Sequence, residues 1–155
     1  MKTKPQKKSY RLKKAVLNTF ITNSPAETIK AGRRVAKLAK PGATICLSGE
    51  LGAGKTTFLK GLAAGIGIKD AGRRITSASF VLAREFPEKN FYHLDLYRLN
   101  RENFFLSGLD QYLSGKNIVA VEWSDIIGKK LIKNRIEIKI KMLGGDKRKI
   151  TVRGA

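Results

Sequence analysis

The sequence predicts an α/β fold, with three layers around a mixed sheet and a β-hairpin at the C-terminus. Strand-like and helix-like periods alternate along the chain. Two short continuous apolar runs, "ATICLSG" (43–49) and "NIVAVEWS" (117–124), read as strands buried on both faces. The closing stretches "NRIEIKIKM" and "RKITVRG" alternate in polarity around "LGGDK", which reads as a hairpin.

Each element follows in order. Residues 1–14 are expected to be a basic, disordered arm, and residues 15–155 a single domain. "AVLNTFI" (15–21) reads as a strand. In "NSPAETIKAGRRVAKLA" Ser24 suits an N-cap, Pro25 the first helical position, and Glu27 stands three residues after the cap. Ile29, Val35, Ala36 and Leu38 mark the apolar side expected of this helix, and "KPG" ends it. "KTTFLKGLAAGIGI" is the next helix, expected to break up at Gly65 and Gly67. The period then becomes two in "FVLAREF" and "FYHLDLYRL", with "PEKN" as the turn between them. "RENFFLSGLDQYLSG" is expected to be helical.

Composition narrows the class. The 155 residues are 42% apolar, enough for a real core. No run of about 18 apolar residues exists and the N-terminus has no apolar signal segment, so neither a membrane span nor secretion is expected. The single cysteine, Cys46, reads as a buried strand residue, which fits a reducing, cytoplasmic setting. Lys and Arg number 32 against 12 Asp and Glu, a net charge of +20 that attracts polyanions, nucleic acid first. Part of the excess lies in "MKTKPQKKSYRLKKA", either an RNA-contacting arm or a solvated tail.

The chemistry is concentrated in "GELGAGKT", Gly49–Thr56, which matches G-x-x-x-x-G-K-[ST] between an apolar strand and a helix. Phosphate oxygens need several N–H groups converging on one point. Gly49, Gly52 and Gly54 let the backbone form that nest, and the helix adds its free N–H groups and dipole. Lys55 would reach the β- and γ-phosphates as a point charge, and Thr56 would offer a hydroxyl to Mg²⁺. The fold class is therefore P-loop NTPase-like.

Hydrolysis needs a carboxylate for the metal and a group that orients water. Glu122, which ends the run Ile118–Val121, is the candidate metal carboxylate; the alternative is a surface or ion-paired strand-end residue. In "FYHLDLYRL" strand alternation puts His93, Asp95 and Tyr97 on one face and Leu94 and Leu96 on the other. Asp95 is the second candidate. His93, the chain's one histidine, suits a structural hydrogen bond better than catalysis. No Cys/His cluster suggests zinc, and no Ser-His-Asp arrangement is visible.

"GELGAGKTTFLKGLAAGIGI", "ITSASF", "FYHLDLYRL" and "VAVEWSD", in that order in so short a chain, resemble the bacterial TsaE (YjeE) family. The resemblance runs from about Phe20 to Val152 and excludes the basic arm. It implies a P-loop ATPase accessory of threonylcarbamoyladenosine formation at position 37 of tRNA, with ATP and Mg²⁺ as cofactors and TsaD and TsaB as partners. On this resemblance Gly49, Glu50, Leu51, Gly52, Ala53, Gly54, Lys55, Thr56 and Thr57 would bind ATP phosphates. Thr56 and Glu122 would hold Mg²⁺, and Asp95 would be needed for hydrolysis. Thr28 matches a family threonine near the nucleotide. Trp123 matches a position important for activity, although as a residue alone it reads equally as core. Thr76–Phe80 matches a switch-like segment written T-S-P-T-F in the family, with Ala78 and Ser79 as departures. The family's transferase is TsaD, so this chain would drive the cycle rather than transfer the group.

Two other classes compete. A small-molecule P-loop kinase would need an arginine-bearing lid, and the chain has no long insertion for one. A non-catalytic RNA-binding module is supported by charge alone.

Overall fold

In the computed structural model, which describes residues 16–77 and 81–154, the described residues form one seven-stranded mixed sheet. The basic arm and Ala78–Phe80 lie outside the described residues. Strand β1 (Val16–Thr22) leads into helix α1 (Pro25–Val35). Ser24 caps α1 as expected: its hydroxyl accepts the Glu27 N–H at 3.2 Å. The Glu27 carboxylate reaches back to the Asn23 N–H at 2.7 Å, one residue earlier than a standard capping box would place it.

The apolar side expected of α1 is borne out in part, at Val35 and Ala36. Thr28, Ala31, Gly32, Val35 and Ala36 are buried, while Ile29 and Leu38 are only half-buried. The cause is helix α2 (Lys55–Ile66), whose backbone runs almost in contact with that of α1. A Cβ at Gly32 would stand 2.1 Å from the Phe58 carbonyl oxygen, and one at Gly61 would stand 1.9 Å from that of Ile29. Small residues, not large apolar ones, define this crossing. Gly65 does not break α2 either; a Cβ there would meet the Ala36 Cβ at 2.5 Å. The helix ends two residues later, at Gly67, whose φ of 102° makes it the left-handed C-cap.

Strand β2 (Thr44–Ser48) lies at the centre. After α2 and the single turn α3 (Ala71–Arg74), β3 (Ala83–Phe86) and β4 (Phe91–Asp95) pair antiparallel. Next come α4 (Arg101–Leu106), β5 (Ile118–Glu122), β6 (Arg135–Gly144) and β7 (Lys147–Gly154). The strand order is β1-β7-β6-β2-β5-β4-β3. Strands β6, β2, β5 and β4 run parallel, and β6–β7 is the expected hairpin.

Strand β4 is shorter than its alternating pattern suggests. Its last carboxylate, Asp95, accepts the Tyr97 N–H at 3.1 Å, and this local turn carries the chain out of the sheet. The helix expected over 101–115 is also divided: α4 stops at Leu106, and Gly108, with φ 72°, opens a 3-10 stretch over Leu109–Leu113.

The sheet has one core on each face. Ile45 and Leu47 of β2 face α1 and α2, together with Ile138, Ile150 and Val152; Cys46, Val119 and Val121 face α4 and the 3-10 turns. Phe58, Leu59 and Leu62 of α2 are fully buried, each contributing about 2 kcal/mol. Their burial fixes the rotation of α2 and thereby where its first residue, Lys55, stands.

Candidate phosphate-binding site

The parallel strands β2, β5 and β4 end at one edge of the sheet, and the 49–54 loop crosses that edge to reach α2. Ligands of open α/β sheets sit at this end. A cleft of about 340 Å³ lies there, lined on one side by Gly52, Gly54, Lys55, Thr56 and Thr57 and on the other by Asp95, Glu122 and Trp123. Leu51, Ser77, Tyr97 and Arg98 complete its rim. Another cleft of about 350 Å³ lies behind β2, so volume does not single out the site; its donors and carboxylates do.

Glycines shape the loop, Gly52 among them with φ 77°. At Gly49 a Cβ would stand 2.7 Å from the Ile140 carbonyl oxygen, so the loop passes β6 at a distance that only glycine permits. Gly54, with φ 102°, is the left-handed residue from which α2 starts. The first N–H groups of α2 have no acceptor within the helix, and they belong to residues that line the cleft. This donor set suits an anion with several oxygens.

Lys55 is 6% exposed. Its ammonium donates to the carbonyls of Gly49 at 2.9 Å and Glu50 at 3.0 Å, and stands 5.0 Å from the centre of the Trp123 ring. An ammonium has three donors, so one direction is left for a ligand oxygen. Glu50 takes part through its backbone; its side chain is exposed. Ala53 is buried and Leu51 is 76% exposed.

Parallel pairing makes Asp95 and Glu122 register neighbours at the ends of β4 and β5. Both are more than nine-tenths buried. Glu122 is held by His93, whose Nε2 lies 3.0 Å from its carboxylate; the expected structural role of His93 is therefore what the structure has. Burial pushes the Asp95 carboxyl above the ordinary aspartate range, opposed by the bond from the Tyr97 N–H, and the neighbouring Glu122 raises it further. Among the described residues no group of three or more His, Cys, Asp or Glu side chains is arranged to hold a metal. The residues present still fit Mg²⁺, which keeps several waters and takes one or two carboxylates plus phosphate oxygens; Thr56 and Glu122 would supply the protein's share.

Trp123 lines the cleft and also packs partly against the core beneath it. Its φ of 60° places a bulky side chain in the left-handed region, and the half-buried ring touches both Lys55 and the Tyr97 ring, 5.0 Å away between centroids. Thr28 is brought to the loop from the other side. Its hydroxyl bonds that of Thr22 at 2.8 Å, and with Gly54 and Thr57 it lines a small cavity of about 80 Å³. Of the switch-like segment, Ser77 reaches the cleft rim and residues 78–80 lie outside the described residues.

Arg148 was not legible beforehand. From β7 its Nε donates to the Ala53 carbonyl at 2.8 Å and its guanidinium to that of Gly52 at 3.4 Å, bracing the loop from outside. On an alternating basic strand nothing in the sequence distinguishes it from its neighbours.

A strand, a glycine loop and a helix on a parallel sheet, facing two strand-end carboxylates, define the class of P-loop-type α/β proteins. Comparison with known proteins narrows the class. The family model described as "Threonylcarbamoyl adenosine biosynthesis protein TsaE" matches residues 22–150. A tRNA threonylcarbamoyladenosine biosynthesis protein TsaE from Bacillus subtilis (strain 168) is 42% identical over 132 residues, covering 84% of this chain and 81% of the relative. The protein of that name from Treponema pallidum (strain Nichols) is 34% identical over 134 residues, covering 85% of this chain and 97% of the relative. The crystal structure of Bacillus subtilis YdiB superposes with a TM-score of 0.69 at 37% identity, covering 88% of this chain and 84% of that one. The chain belongs to the TsaE family. Its mixed α/β sheet agrees with that structure.

Proposed function

We propose that the chain is a Mg²⁺-dependent ATPase that serves tRNA threonylcarbamoyladenosine biosynthesis, working with a TsaD–TsaB transferase pair in the cytoplasm. The observation that carries the reading is the cleft itself: the N–H donors of α2, the Lys55 ammonium and the Thr56 hydroxyl on one wall, with two buried carboxylates on the other. The pathway follows from family membership. No helix among the described residues is long and apolar enough to cross a membrane, which agrees with the proposed location.

ATP would supply the phosphoryl group, and Mg²⁺ would neutralise charge on its β- and γ-oxygens. Loop and helix N–H groups orient the phosphates, and Lys55 offers its remaining donor to them. Glu122, fixed by His93, presents a carboxylate to the metal together with Thr56. Asp95, where burial disfavours the charged form, orients the attacking water or couples the site to the segment after Ser77. Trp123 and Tyr97 limit water on the open side.

Calorimetry of Mg·ATP binding tests the reading. Lys55→Ala removes a charged donor worth about 1.5–3 kcal/mol, so affinity should fall roughly 10- to 150-fold. Equal affinity of the two proteins would sink the phosphate-loop assignment.

A further inference from the structure

We infer that the open half of the sheet is an RNA-binding surface that engages the phosphate backbone. On β6 and β7 the residues Ile138, Ile140, Ile150 and Val152 face α1 and α2. Alternation sends Lys139, Lys141, Lys149 and Arg153 to the opposite face, and all four are exposed. The 3-10 turns that cover β2, β5 and β4 stop at this boundary. They form one wall of the cleft of about 350 Å³, with Lys139, Thr151 and Arg153 on its sheet side.

The pairing register orders these groups into rows. Ser48, Lys139, Thr151 and Thr19 form one row across four strands. In the next, Lys141 stands directly opposite Lys149. Like charges facing each other across a strand pair weaken a sheet, so this pair gives the fold nothing; an anion bridging the two lysines offsets the repulsion. Of the acids here, Glu137 is engaged by Arg135 at 2.9 Å and stands opposite Arg153, and Asp125 lines the other wall of the cleft, so the face keeps a surplus of cations.

The spacing selects a polymer. Lys139 and Lys141 are two residues apart on one strand, about 7 Å, and Lys149 and Arg153 span about 13 Å on the next. A ligand matching both must repeat its negative charge along its length. The Thr151 hydroxyl between the cations, with those of Ser48 and Thr19 at the ends of its row, suits phosphate oxygens and ribose hydroxyls, which favours RNA over an acidic protein. The chain's charge of +20 draws such a polyanion in. The inference is independent of the nucleotide reading, because none of these side chains lines the phosphate cleft.

The test uses the full chain and an unmodified tRNA transcript, with binding followed by fluorescence anisotropy over a range of salt. Lys139→Gln, Lys149→Gln and Arg153→Gln combined should lower the slope of log K against log salt by about 2, which is roughly 100-fold in affinity near 0.1 M salt. Lys30→Gln, Arg33→Gln and Arg34→Gln combined remove the same charge from the exposed side of α1 and should leave binding within about 3-fold of wild type. Lys139→Arg with Lys149→Arg should retain binding, which separates lost charge from a damaged fold. The surface assignment is overturned if the sheet triple binds like wild type, or if both triples lose affinity equally. It is also overturned if polyglutamate competes as well as the tRNA does, for the surface would then be one for an acidic protein.

Discussion

The two walls of the cleft are built in opposite ways. The loop wall is one contiguous stretch whose shape is written in its own glycines, and it is braced from outside by Arg148. The carboxylate wall is assembled from two separate strands, and the meeting of Asp95 with Glu122 depends on their pairing. Glu122 is fixed by a buried histidine one strand away, and Asp95 by a turn it makes itself. A loop that must wrap a ligand gains from a flexible backbone with an external brace. A carboxylate that must present charge inside a buried edge needs a permanent polar partner.

This contrast can be broken at the braces. The largest effect is expected on the carboxylate wall. His93→Ala empties a buried site and leaves the Glu122 carboxylate without its partner, which should cost about 2–4 kcal/mol in urea unfolding. His93→Gln, which keeps a donor, should lose less. Wild-type stability in His93→Ala would mean that Glu122 does not depend on the histidine. A smaller effect is expected on the loop wall, where Arg148 is only half-buried. Arg148→Ala should loosen the loop and weaken Mg·ATP binding by about 1.5 kcal/mol, roughly 10-fold, with stability near wild type. A loss of stability without a loss of affinity would make Arg148 a sheet residue rather than a brace.

How far the sequence reached follows the same contrast. The loop from Gly49 to Thr57 could be read as a unit, because a glycine loop between a strand and a helix is a local structure. Glu122 could be read from the end of an apolar run, and Asp95 from the polar face of an alternating stretch. Their adjacency rests on the parallel pairing of β4 with β5, which those runs imply without fixing the register. Trp123 could not be assigned, since a tryptophan after an apolar strand suits core and cleft equally; the structure has it do both, lining the cleft and packing partly against the core. Arg148 could not be singled out, because its partners are backbone carbonyls of a distant loop. The burial of Thr28, Ala31 and Gly32 on α1 was hidden for a related reason. Glycines on α2 let the helices approach until small residues fill the contact, and a pattern of large residues does not report that distance.

The central claim is that the two carboxylates divide the work, Glu122 holding the metal and Asp95 acting in the reaction. A metal carboxylate acts in the ground state and the transition state alike, whereas a water-orienting group acts mainly in the transition state. The direct measurement is calorimetric binding of ATP with and without Mg²⁺ to Glu122→Gln and Asp95→Asn, paired with turnover in the presence of the TsaD–TsaB pair. The account predicts that Glu122→Gln loses the Mg²⁺ dependence of binding, while Asp95→Asn binds Mg·ATP like wild type and loses hydrolysis. Normal Mg²⁺-dependent binding by Glu122→Gln, with the dependence lost in Asp95→Asn, would contradict it and place the metal carboxylate on β4.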